Sequence, residues 1–112
     1  MNYVDFTAGN REYKLRLTTR GIVALEKKLG CNPLGIFGSG ETIPTITVMV
    51  NILHAALQPL NHSITLENAY DIFDAWLADG HNMTEFLAVI LDIYRASGLV
   101  GKEEDKGEEK NA

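Results

Sequence analysis

The 112 residues carry 46% hydrophobic and 22% charged side chains, one cysteine and a formal net charge of −5, the profile of one globular domain that needs neither metal nor disulfide staples. Cys31 has no internal partner, no apolar run approaches the ~20 residues of a membrane span, and the opening MNYVDFTAGNREYK has no long apolar run behind a basic segment, so a non-secreted protein without a membrane span is expected. The acidic balance, with a pI near 5.1, weighs against a general nucleic-acid binder, whose phosphate contacts need a cationic face.

Two short runs of alternating character open the chain. Tyr3, Asp5 and Thr7 point one way and Val4 and Phe6 the other; beyond Ala8-Gly9-Asn10-Arg11, Tyr13, Leu15 and Leu17 alternate with Lys14 and Arg16. Gly9-Asn10 is a turn signal in a connection of hairpin length, so residues 2–7 and 12–17 are expected to pair as a β-hairpin, which is marginal alone and must pack on something. Thr18 or Thr19 can cap a first helix over about 20–29, where Ile22, Leu25 and Leu29 recur at spacings of three and four. Lys27 and Lys28 suit the dipole of its last turn, and Gly30 supplies the stop. Residues 31–41, CNPLGIFGSGE, hold three glycines and a proline and are expected to be loop, with room for one helical turn after Pro33.

A second helical stripe over about 44–57 is formed by Ile46, Met49, Val50, Leu53, Ala56 and Leu57, although the β-branched TITVMV leaves a strand open as the alternative; Pro59 ends it. Ser63 or Thr65 opens a third helix to about residue 78, with Leu66, Ala69, Tyr70, Phe73, Trp76 and Leu77 on one face and Glu67, Asp71 and Asp74 opposite; Asp79-Gly80 closes it. Asn82 and Glu85 have capping-box spacing ahead of a fourth stripe of Met83, Phe86, Leu87, Ile90, Leu91 and Tyr94, which Gly98 ends. The last stretch, GKEEDKGEEKNA, holds −2 of the −5 and no large apolar side chain, so a disordered tail is expected at 101–112. The sum is one domain over residues 1–100, a hairpin at 2–17 and a helical body at 18–98. Its class is α+β but mostly α, with the hairpin packed on about four helices.

An enzyme needs converging polar groups, and no pattern in the sequence supplies them. His54, His62 and His81 fall on the second helix, in a loop and before the fourth helix, without HxxxH or CxxC spacing, and are expected to be surface or helix-end residues rather than metal ligands. Cys31, just past a helix C-terminus whose dipole disfavours a thiolate, is expected to be a small semi-buried loop residue. Glu67, Asp71, Asp74 and Asp79 include pairs three or four apart, but their face lies opposite the aromatic stripe and is expected to be solvated. The glycines of GIFGSGE come with no lysine and no preceding strand, and fail both the P-loop and the dinucleotide pattern. Ile36 and Phe37 in that run are expected to tuck into the core, with a partner-contact loop as the alternative. Trp76 is expected in the core and becomes a partner contact only if partly exposed. No catalytic residue, cofactor or metal is expected, and binding or assembly is the favoured class.

Residues 11–37, REYKLRLTTRGIVALEKKLGCNPLGIF, resemble the N-terminal signature of phage tail assembly chaperones of long-tailed phages and the similar small tail proteins of gene transfer agents. That signature is a short hairpin followed by a helix of the form RxxxxLExxLGxNPL, matched here by Arg20, Leu25, Glu26, Leu29, Gly30, Asn32, Pro33 and Leu34. All eight read as structural. Leu25 and Leu29 would dock the helix on the hairpin, Gly30 would be the left-handed stop, and Pro33 would start a turn after Asn32. Arg20 would pair with Glu26 or an acid from another element, or else stand free on the surface. The resemblance implies a non-enzymatic factor of the host cytoplasm, absent from the mature virion, that binds the tape measure protein during tail assembly; contact with tail tube subunits and homo-oligomerisation are left open. It also implies a second form extended by frameshifting, and Glu109-Lys110-Asn111 can be encoded as GAA AAA AAC, which contains a slippery heptamer. The rivals are a structural tail-completion or connector protein of the virion, and a small helical DNA-binding regulator. The latter needs a basic recognition helix, whereas the helices after residue 43 hold one basic residue, Arg95.

Overall fold

The alternation at the start of the chain folds as an antiparallel hairpin in the computed structural model, which describes residues 2–37 and 43–101. Strands β1 (Val4–Ala8) and β2 (Arg11–Leu15) pair in a register that sets Val4 opposite Leu15 and Ala8 opposite Arg11. The two-residue link puts both Gly9 and Asn10 at positive φ, 58° and 70°, the twist that suits a tight hairpin. Glycine suits position 9 for a second reason: a Cβ there would crowd that of Ala75 at 3.2 Å. Its N–H donates to Asp79 Oδ2 at 2.9 Å, tying the turn to the end of the third helix. The inward set is Phe6, Ala8, Tyr13 and Leu15, all buried, with Leu17 following in the same period.

Helix α1 (Thr19–Leu29) is capped by Thr18, whose side chain accepts from Gly21 N, and stopped by Gly30 in the left-handed conformation at φ 71°. A 3₁₀ turn follows at Pro33–Phe37. It is started by Asn32, whose Oδ1 accepts from Leu34 N at 3.0 Å. Helix α2 (Ile46–Leu57) settles the strand alternative in favour of helix: Thr45 caps it, and the run Met49–Leu53 is buried without a break. Such a run needs neighbours on several sides, and α2 packs on α1, on β2, and on α3 (Leu66–Ala78) and α4 (Met83–Ala96). Both later helices carry capping boxes, Thr65 with Asn68 and Asn82 with Glu85.

One expectation about α1 is corrected. It packs chiefly on α2 and the 3₁₀ turn rather than on the hairpin, because the hairpin's inner side is already covered by α2, α3 and α4. The strand exit is pinned to the end of α4 instead: Leu17 N donates to Ser97 Oγ at 2.8 Å, and Arg16 Nη1 donates to the Ala96 carbonyl at 3.2 Å. The expected tail from residue 102 onward, the glycines at 38 and 40, and the Phe37 side chain lie outside the described residues.

Candidate functional site

The packing of α1 on α2 leaves a cleft of about 470 Å³ along their seam. Its origin is legible in the side chains. Helices pack by setting ridges of residues four apart into facing grooves, and here the α1 ridge Arg20–Ala24–Lys28 faces Asn51 and Ala55 of α2, with Gly21 beside it and Pro59 of the following turn at one end. Glycine and alanine are too small to fill the space between the two axes. The floor is apolar, with Leu25 buried beneath it.

The polar groups of the cleft are unevenly satisfied. Arg20 and Lys28 are exposed on the rim, and neither has a carboxylate partner among the described residues. Two other cations have one: Lys14 pairs with Asp5 at 2.6 Å, and Arg95 lies 3.8 Å from Asp92. Asn51 is 4% exposed, and its Nδ2 donates to the Thr47 carbonyl at 2.8 Å. That bond fixes which way the amide points, since the reverse orientation would set two acceptors together. Its Oδ1 is buried and accepts no hydrogen bond. A buried acceptor without a donor costs free energy that an apolar side chain of the same shape would not. Asn51→Leu is therefore expected to stabilise the fold by about 1 kcal/mol, read as a raised urea midpoint; a loss of stability would show that the amide is satisfied.

His54 stands on the same wall. Burial, and then the neighbouring Lys28 ammonium, lower its pKa below the usual histidine value, against a hydrogen bond with the Ile64 backbone. The unfolded chain therefore takes up this proton at higher pH than the native one. The contribution of His54 to stability is complete above about pH 6.5 and falls as the pH drops from there through the depressed native value. His54→Gln is expected to flatten the stability–pH profile below about pH 6.5, and an NMR titration of His54 should give a midpoint under that value.

The structure sorts the other residues singled out in the sequence. Arg20 is on the surface, Leu25 is 3% exposed, and Gly30, Asn32 and Pro33 build the helix stop and turn. Glu26 is exposed, while Leu29, Leu34 and Ile36 lie half-buried against the core. Trp76 is 4% exposed and stacks on His81, with ring centroids 4.4 Å apart, so it packs in the core, as expected. Cys31 is exposed rather than semi-buried. Glu67, Asp71, Asp74 and Asp79 are all exposed. Among the described residues no three of His, Cys, Asp or Glu gather to hold a metal ion, and no helix is long and apolar enough to cross a membrane.

Sequence reading missed Asn51 and Ala55. The available signal was a polar side chain between Val50 and Ile52 inside an apolar window, but the pairing of α2 with a helix some thirty residues earlier is not a local property. No curated protein and no solved structure matches the chain. Residues 4–112 match a family described as a family of unknown function, DUF6096.

Proposed function

The chain belongs to DUF6096, a family of unknown function, and we propose that this member is a non-enzymatic phage tail assembly chaperone that binds the tape measure protein during tail morphogenesis. It acts in the host cytoplasm and is left out of the mature virion. The observation that carries this reading is the Arg20–Leu34 segment, whose residue pattern resembles the tail-chaperone signature. Support comes from how that segment is used: its helix is held by a cap and a left-handed stop, yet it leaves Arg20 and Lys28 exposed beside an apolar cleft. A tape measure protein is long, helical and apolar before the tube polymerises around it. A small acidic domain that covers part of such a helix by groove contacts would keep the complex in solution.

Co-expression with a tape measure protein from the same genome tests the proposal. A several-fold rise in the soluble fraction of that protein and its co-purification with this chain are the expected results. Unchanged solubility would sink the reading. Mass spectrometry of purified virions is expected to find the tube and tape measure proteins without this chain; stoichiometric amounts in the particle would make it a tail-completion or connector subunit instead.

A further inference from the structure

We infer that the α1–α2 cleft is a docking site for an amphipathic helix of another protein, one with an apolar face for the floor and acidic residues spaced to meet Arg20 and Lys28. The inference deepens the tail-assembly reading, which draws on the same cleft, and is argued from this chain's own side chains. Three observations converge. The cleft is open, apolar at its base and kept unfilled by Gly21, Ala24 and Ala55. Its rim carries two cations with no carboxylate partner among the described residues, in a chain whose net charge is −5. Asn51, nine-tenths buried and lining the cleft, holds an acceptor oxygen that nothing in the fold satisfies.

The spacing selects the occupant. Arg20 and Lys28 are eight residues apart on one helix, about 12 Å along its axis. One small carboxylate cannot meet both. A helix laid along the seam can, with carboxylates about two turns apart and its apolar residues between them resting on Ala24 and Ala55. A nucleic acid would bring a polyanion to a net acidic surface and gain nothing from the apolar floor. A second copy of this chain offers α3 as its acidic helix, but the apolar face of α3 is spent in the core, leaving Glu67, Asp71 and Asp74 with little apolar surface among them.

The probe is a synthetic helical peptide of about five turns, with a leucine face and two glutamates eight residues apart, titrated into the ¹⁵N-labelled full chain. Saturable shift changes on Gly21, Ala24, Lys28 and Ala55 are expected, weakening as salt is raised. The double variant Arg20→Glu/Lys28→Glu, whose changes are on the exposed rim, is expected to lose about tenfold or more in affinity and to bind the lysine version of the peptide better than the unaltered protein does. Ala55→Trp, which fills the cleft without touching the charges, is expected to abolish binding. The inference is overturned by an absence of saturable shifts, by shifts centred elsewhere, or by equal affinity of the double variant for the glutamate peptide. It is equally overturned if a single-stranded oligonucleotide displaces the peptide from these residues, or if dilution alone reproduces the shifts, which would give the cleft to a second copy. Binding of the peptide together with an unsolubilised tape measure protein would keep the site and discard the tail-assembly role.

Discussion

Replacing Phe86 with alanine is expected to remove about 3–5 kcal/mol of stability, enough to lower Tm by on the order of 20 °C in a domain of this size. Phe86 is fully buried at the meeting point of three aromatic rings. It stands edge-on to Phe73 at 5.0 Å and to Trp76 at 5.4 Å, both on α3, and to Phe6 on β1 at 6.1 Å. The ring is thus the joint between α4, α3 and the hairpin. An isolated two-stranded hairpin has little stability of its own, so opening this joint should release β1 and β2 before it releases α1, which packs elsewhere. Urea melts followed by circular dichroism give the size of the effect. Hydrogen exchange gives its location: amides of Phe6 and Tyr13 should lose protection more than those in the middle of α1. The exposed Val23→Ala serves as the control, expected within about 0.5 kcal/mol of the unaltered chain. A cost for Phe86→Ala no greater than that of the control would mean that the aromatic cluster does not hold the domain together.

Local chemistry was legible in the sequence because its determinants are close together in the chain. The alternation around Phe6 and Tyr13, the Gly9-Asn10 turn, the Asn82–Glu85 box and the Gly30 stop each act over a few residues, and each is where the pattern put it. What failed was the assumption that a helix has one buried stripe. Ile52, Ile72 and Ile93 are buried beside the stripes read for their helices, because α2 is packed by α1, β2, α3 and α4 together and so takes a wider contact face than one stripe. The docking of α1 was misassigned for a related reason: Leu25 and Leu29 announce that a face is buried, not what buries it. The cleft inherits that limit. Gly21, Ala24 and Ala55 look like ordinary small helix residues until two helices are laid against each other, and Arg20 acquires meaning only when Lys28 and Asn51 stand around the same space.

Tyr94→Phe is expected to cost about 1–2 kcal/mol and to act on the 3₁₀ turn rather than on α4 itself. The Tyr94 ring is fully buried, and its hydroxyl donates to the Pro33 carbonyl at 2.7 Å, across 61 residues of chain. Burial first, with the nearby Cys31 thiol adding to it, raises the phenol pKa above its ordinary value, so the group stays a neutral donor at physiological pH. Phenylalanine keeps the ring and takes away the hydroxyl with that bond, leaving the Pro33 carbonyl short of one partner in a buried place. The tail-chaperone-like pattern runs through this point, since Asn32, Pro33 and Leu34 form the start of the turn. Their geometry is therefore enforced from α4 as well as by the local Asn32–Leu34 bond. Exchange protection at Leu34 and Gly35 should fall in the variant while that of Ile90 is kept. The peptide affinity of the α1–α2 cleft should stay within about twofold, because Arg20, Lys28 and Asn51 lie on other elements and well-separated sites act additively. A fall in affinity as large as that of the charge-reversed variant would show that the turn and the cleft move as one unit, and that the end of α1 is positioned by Tyr94.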